Sequence, residues 1–237
     1  RDKYWACSWW GVAPFDREVM LWGHRHALGR SVVQPLRRLT ETAIDMARRR
    51  KRFDASRLNT KKLLHYYDAM AAYRPRSIYA YASAAHLLAS ANRHRPRWPQ
   101  PPKAVFLTAE NILPSCRKAI RDVFGCPTVG EYGSMECGMV AYQKASGAYQ
   151  IFERSVIVEA VERPVGYSIL VTQLRESGFP LFRYEIGDLT STPLARDDEG
   201  AEVLQDVLGR TEDIIHIPGG TARHATTIEG LVEQIPV

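Results

Sequence analysis

Three short polar clusters stand out in this 237-residue chain: YGSMECG from Tyr132 to Gly138, RYEIGD from Arg183 to Asp188, and LGRTEDIIHIPGG from Leu208 to Gly220. Each sets carboxylates, hydroxyls or a guanidinium beside glycine, which lets the backbone turn sharply or approach a ligand. Such groups suit recognition of a polar ligand. Taken singly, each also has a plain reading: Glu136 as a solvated loop residue, Ser134 as a turn former, Asp188 as a cap after Gly187, Arg210 and Asp213 as a surface ion pair. Other chemistries fit less well. Cys7, Cys116, Cys126 and Cys137 are too scattered for a zinc CxxC pair or a dense disulfide framework and read as free buried thiols. No GxGxxG follows a strand, which disfavours a nicotinamide-dependent enzyme.

The elements that must position these clusters can be read from periodicity. The opening stretch concentrates Tyr4, Trp5, Trp9, Trp10, Phe15 and Trp22, with no N-cap ahead of its first apolar residues. From Ser31 to Arg52, Val33, Leu36, Leu39, Ala43, Ile44 and Met46 recur at helical spacing, which predicts an amphipathic helix with the run Arg48 to Arg52 at its end. Asn59 or Thr60 caps a second predicted helix, which stops before Arg74 because Pro75 disfavours helical geometry there. A helix rich in small residues follows over 82–93, and Pro96, Pro99, Pro101 and Pro102 read as a linker.

Beyond the prolines, KAVFLTA reads as a buried parallel strand, ILPSCRKAIRDVFG as a helix stopped by glycine, and PTVGEY as the next strand. Parallel sheets of such βαβ units bind ligands at the carboxyl ends of their strands, so TAEN (Thr108 to Asn111) and YGSMECG are expected side by side. From Tyr149 the segments YQIFE, VIVEAV, YSILVTQL, PLFRYEI and LTSTP predict an antiparallel sheet or barrel. The predicted fold class is α/β: a parallel βαβ sheet flanked by helices, followed by a smaller antiparallel β sheet or barrel. The expected divisions are 1–147, 148–209 and 210–237.

Composition sets the outer bounds. With 45% hydrophobic and 24% charged residues and a mean hydropathy of -0.28, the chain is able to bury a core, and disordered, collagen-like and coiled-coil classes are excluded. No apolar run of membrane-spanning length and no signal-peptide pattern is present, so a cytoplasmic protein is expected. Residues 1–100 hold 20 lysines and arginines against 7 acidic residues, and residues 101–237 hold 12 against 19. This asymmetry implies either a basic face for an anionic ligand or two complementary lobes. A basic nucleic-acid-binding module is the non-enzymatic alternative, though no stacking aromatics interleave with the basic run.

Taken together and in this order, the three clusters resemble the motifs of the adenylate-forming superfamily, most closely its phenylacetate-coenzyme A ligase-like branch. The YGxxE motif of that family looks like Tyr132 to Glu136, its PLxRYxxGD motif like Pro180 to Asp188, and its GRxDDxI motif like Gly209 to Ile215. TAEN looks like its adenine-side loop. The resemblance covers most of the chain and implies the core of an adenylate-forming N-terminal domain.

The resemblance also implies roles. Glu136 would be the Mg²⁺ ligand, a hard carboxylate suited to a metal that bridges ATP phosphates, and Ser134 would offer its hydroxyl to the α-phosphate or the activated carbonyl. Asp188 would accept from both ribose hydroxyls with Arg210 helping, and Tyr132, next to Gly133, would stack on adenine with Ala109 and Glu110 at its edge. Tyr79, Tyr81 and His86 would line the acid pocket. Glu212 falls where the family places the hinge of its C-terminal domain, usually an Asp, and His216 replaces a frequent Lys.

The implied reaction is ATP-dependent activation of a carboxylic acid, aryl or arylalkyl, to an acyl-adenylate, followed by transfer to coenzyme A. The implied partners are that small-molecule acid, ATP, Mg²⁺ and coenzyme A, without membrane or nucleic acid, and a homodimer is open to it. An adenylyltransferase moving AMP onto a metabolite or cofactor hydroxyl is the enzymatic alternative. Two departures stand out: no stretch resembles the glycine-rich phosphate loop TSGTTG, and the C-terminal domain with its lysine is not seen beyond the hinge. These predict a partial chain with weak or no activity. Relatives that carry zinc place cysteines between the second and third motifs; none occurs from Thr190 to Leu208, which argues against a structural metal.

Overall fold

The computed structural model describes residues 2–23, 34–175, 178–217 and 221–225. The chain forms two compact units, Arg1–Val129 and Gly130–Val237. The first runs α1 (Asp2–Ser8), β1 (Glu18–Trp22), α2 (Gln34–Ala47), β2 (Arg50–Asp54), α3 (Thr60–Tyr73), β3 (Ser77–Tyr81), α4 (Ala82–Ala91), β4 (Ala104–Thr108) and α5 (Pro114–Phe124). Its strands pair in parallel in the order β2-β1-β3-β4, with Glu18 opposite both Arg50 and Ser77, and Ser77 opposite Ala104. Residues of one strand parity, among them Val19, Leu21, Ile78, Ala80, Val105 and Leu107, join a core with Leu63 and Met70 of α3, Leu88 of α4, and Ile120 and Phe124 of α5. β4 is buried on both of its faces, which accounts for its near-continuous apolar sequence.

Local signals set the helix ends. The Asn59 side chain accepts from the Lys62 backbone N–H, and Arg74 closes α3 in a left-handed conformation (φ +53°) that the following Pro75 favours over a further helical turn. Pro114 starts α5 and Gly125 (φ +68°) ends it, as the sequence predicts.

Three expectations fail here, each through tertiary pairing. The run Arg48 to Arg52 does not end a helix: α2 stops at Ala47, Arg49 turns the chain at φ +52°, and Arg50 begins β2. Arg50 and Arg52 share one face of that strand. Arg52 donates to both oxygens of the buried Asp45 (2.5 and 3.0 Å), and Arg50 to Glu18 (3.2 Å). On α2, Asp45 is turned inward while Ala43, Ile44 and Met46 of the predicted apolar stripe are exposed; the burial of Val33, Leu36 and Leu39 lies outside the described residues. The expected helix start at Ser31 lies outside the described residues. The proline cluster is not a loose linker either: Trp98 is buried against Tyr67 and Phe124, and the Tyr67 hydroxyl donates to the Pro96 carbonyl at 2.8 Å.

β5 (Thr128–Ser134) leads into the second unit, which continues with β6 (Gly138–Gln143), β7 (Tyr149–Ile151), β8 (Val156–Glu162), β9 (Tyr167–Gln173), β10 (Tyr184–Thr190), β11 (Ala195–Arg196), β12 (Glu202–Leu204), β13 (Gly209–Arg210), β14 (Ile214–Ile217) and β15 (Thr221–His224). The pairings are antiparallel, in the orders β11-β12-β7-β6-β5 and β13-β10-β9-β8, with β14-β15 as a hairpin. PLFRYEI and LTSTP are not separate strands, because β10 spans parts of both. Arg183 at φ +46° breaks the chain before Tyr184, leaving Phe179 and Phe182 exposed. Among the described residues, no helix is long and apolar enough to cross a membrane.

The carboxylate of Asp45 joins α2 to β2, and its loss leaves Arg52 without its bidentate partner. Asp45→Ala is expected to lower stability by about 2 kcal/mol in urea unfolding, and Ile44→Ser, at an exposed position, by less than about 0.5 kcal/mol.

Candidate functional site

The site in the second unit is built around Asp188, which is 8% exposed. A β-bulge places it. Between Glu185, opposite Leu170, and Leu189, opposite Ser168, β10 holds three residues where β9 holds one. Gly187, inside that bulge at φ +84°, adopts a backbone conformation that a side chain would strain. The glycine therefore shapes a bulge within a strand, not the turn expected from the sequence.

Two side chains from other strands reach the carboxylate. The Tyr132 hydroxyl of β5 donates to Oδ2 at 3.0 Å, and Arg210 of β13, directly opposite Asp188, donates from Nη1 to Oδ1 at 3.1 Å and to the Ile186 carbonyl at 3.1 Å. Burial pushes the Asp188 carboxyl above its ordinary value, against the downward pull of Tyr132 and Arg210. Burial and the neighbouring carboxylate also push the Tyr132 phenol well up, so it stays a donor. Each Asp188 oxygen retains a lone pair for a further donor.

The end of β5 carries the second cluster. A Cβ at Gly133 would fall on the Gly138 carbonyl oxygen, so only glycine permits the close β5–β6 approach. Ser134 accepts from the Cys137 backbone N–H at 3.0 Å, closing the turn before β6, while Gln173 donates to the Glu136 carbonyl at 3.1 Å. The Glu136 side chain is exposed and its carboxyl lies below the usual range, held there by its own backbone N–H, by the Ser134 hydroxyl and by the charge of Arg210. The exposed Glu212 follows in a 3-10 turn, Thr211–Asp213, where the Thr211 hydroxyl donates to the Gly187 carbonyl at 3.3 Å. Arg210 pairs with Asp188, not with Asp213. A cavity of about 510 Å³ is lined by Val165, Glu185, Gly187, Leu189, Thr211 and Ile214.

The remaining candidates fall in the first unit. Ala109 sits at φ +68°, and the carboxylate of the next residue, Glu110, accepts from the Ser83 backbone N–H (2.6 Å) and hydroxyl (2.9 Å). Glu110 thus caps α4, whose N-cap residue Tyr81 makes no side-chain capping bond. Tyr79 and Tyr81 lie on β3, which runs straight into α4 with Tyr81 as its N-cap residue, and both stack on Trp22, with ring centroids at 5.6 and 4.2 Å. The Nδ1 atom of His86, in the second turn of α4, is buried with no hydrogen-bond partner. Sequence reading passed over Ser83, Gln173, Thr211 and His224. His224 donates from Nε2 to the Arg210 carbonyl at 2.8 Å, and the one signal for its placement is the Pro-Gly-Gly between two alternating runs, a hairpin pattern.

No protein-family model and no curated protein matches the sequence. Solved structures do. A 2-hydroxyisobutyryl-CoA ligase in the postadenylation state with R3-HIB-AMP superposes with a TM-score of 0.72 at 17% identity, over 97% of this chain and 51% of its own. The fold is that of the adenylate-forming ligases. An anthranilate CoA ligase, AuaEII, in complex with anthranoyl-AMP matches 99% of this chain and 48% of its own, with a TM-score of 0.62 at 12% identity. ATP-bound MatB from Rhodopseudomonas palustris matches the same shares with a TM-score of 0.60 at 16% identity. This chain therefore spans about half the length of each structure. The parallel sheet with flanking helices and the smaller antiparallel sheets agree with the fold class expected for an adenylate-forming core.

Because the folded-state pKa of Asp188 is raised, the folded protein holds a proton that the unfolded chain releases, but only in the pH window between the ordinary and the raised value. Its contribution therefore weakens stability as pH rises from the ordinary carboxyl value through the raised one. Asp188→Asn is expected to melt higher than wild type at neutral pH and to lose that advantage below about pH 3.5, as thermal melts across a pH series would record.

Proposed function

We propose that the protein activates a carboxylic acid with ATP, forming an acyl-adenylate and pyrophosphate, and transfers the acyl group to coenzyme A. The single observation that carries this reading is the buried Asp188 carboxylate, held by Tyr132 and Arg210 at the positions of three ordered motifs, within a fold shared with ligases solved with acyl-AMP bound.

In this reading the free lone pairs of Asp188 accept from the ribose hydroxyls. Arg210, with more than half of its side chain exposed, has further N–H groups to offer. Tyr132 keeps the carboxylate oriented and lends its ring to the adenine side, next to Gly133. Ser134 faces the reacting phosphate or carbonyl. Ala109 and Glu110 border the adenine edge, with the left-handed backbone at Ala109 setting the loop. Because the attacking group is itself a carboxylate, no general base is needed, and catalysis rests on positioning and charge stabilisation.

Glu136 fits Mg²⁺ as a single ionised, exposed carboxylate. A metal held there would draw its other ligands from phosphate oxygens and water. Bound there with ATP, Mg²⁺ would offset the phosphate charge.

An aryl or arylalkyl acid follows from the likeness to the phenylacetate-coenzyme A ligase-like branch at Tyr79, Tyr81 and His86, and the Tyr79–Trp22–Tyr81 stack gives this region an aromatic character. Glu212 serves as the hinge, and the setting is the cytoplasm.

Calorimetric titration with a non-hydrolysable phenylacetyl-adenylate mimic tests the reading. Wild type is expected to bind, Asp188→Ala to lose binding, and Arg210→Ala to weaken it about tenfold. Equal affinity in wild type and Asp188→Ala overturns the assignment.

A further inference from the structure

The hydrogen bond from His224 ties together parts of the chain that the motifs treat separately. His224 ends β15, is 3% exposed, and pairs across the hairpin with Ile214. Its Nε2 lies 2.8 Å from the main-chain carbonyl of Arg210, a group that only accepts, so this nitrogen carries a proton. An imidazole buried to this degree is tolerated where it is bonded.

Arg210 is then held in three ways: by strand pairing with Asp188, through its guanidinium on Asp188 and Ile186, and through its carbonyl by His224. The next residue is fixed as well, since the Thr211 hydroxyl donates to the Gly187 carbonyl. The contacts close a ring. From Arg210 the chain runs through the 3-10 turn to Ile214, crosses to His224, and returns to Arg210. Glu212 lies inside that ring, so the hairpin cannot turn about Glu212 without breaking the His224 bond.

We propose that His224 is a positioning residue that latches the β14–β15 hairpin to β13, the strand paired with the Asp188-bearing β10. It keeps the Arg210 guanidinium on the carboxylate and restrains the turn at Glu212. The effect on nucleotide binding rests on the proposed adenylate site, whereas the latch itself does not.

Backbone hydrogen exchange over residues 209–215 and calorimetric affinity for the adenylate mimic are to be measured on wild type, His224→Leu, His224→Gln and His224→Asn. Loss of one bond to the backbone is expected to speed exchange in 209–215 about tenfold and weaken the mimic about tenfold in His224→Leu, with β8 and β9 amides unchanged. His224→Gln, whose amide N–H has similar reach, is expected to restore most of both, and the shorter His224→Asn is not. Wild-type exchange in His224→Leu overturns the latch, as does a His224→Gln protein no better than His224→Asn. Should His224→Leu fail to fold, the Gln and Asn pair decides. Asp188→Ala separates the two levels: if it binds the mimic like wild type, the nucleotide reading fails while the exchange data still judge the latch.

Discussion

A carboxylate taken out of water needs donors in place of the solvent it loses, and in the second unit Asp188 makes that demand. Tyr132 and Arg210 answer it from two different strands, and neither reaches without local backbone features. The bulge in β10 turns Asp188 toward them, Gly187 makes the bulge affordable in backbone terms, and Gly133 lets β6 close on β5 beside Tyr132. Desolvation still outweighs both partners, which is why the carboxyl remains above its ordinary value. Glu136 shows the opposite balance: exposed, it meets little desolvation, and nearby donors favour its charged form. Two carboxylates in one unit are thus set to different tasks by environment alone, one as an oriented acceptor and one as an open anionic site.

The first unit solves a smaller electrostatic problem in a similar way. The first N–H groups of α4 lack a local cap, since Tyr81 supplies no side-chain acceptor. Glu110, distant in sequence, fills that gap through Ser83 and at the same time fixes its own loop next to the left-handed Ala109. The residue that the resemblance marks as an adenine neighbour is thus, in the fold, the cap of α4.

Signals carried by consecutive residues were legible in the sequence: the Asn59 cap, the glycine stop of α5, the alternation of β8 and β9, and the order of the three polar clusters. Signals that depend on partners were not. The strands β1 and β3 are five residues each, and their aromatic and charged positions alternate with apolar ones that also suit a helix or loop. The arginines of β2 read as a helix end because nothing local reveals that Glu18 and Asp45 will meet them. Trp98 among prolines looks like linker until Tyr67 and Phe124 close over it. In the site, Asp188, Arg210 and Tyr132 could be named from motifs, but the bond between Tyr132 and Asp188, 56 residues apart, and the contact of His224 with a backbone carbonyl leave no mark in composition or spacing.

The placement of Arg50, Lys51 and Arg52 has a consequence outside ligand binding. Among the described residues, β2 has β1 as its one strand partner, so its other side presents backbone donors and acceptors to whatever approaches. A flat apolar strand there would invite the same strand of another molecule to add on. Here the edge carries three successive cations, two of them paired with carboxylates of their own chain, in place of the apolar side chains that favour such addition. The run that looks like a nucleic-acid patch in the sequence is thus, in the folded chain, a charged edge strand whose two arginines are already engaged by carboxylates of their own unit.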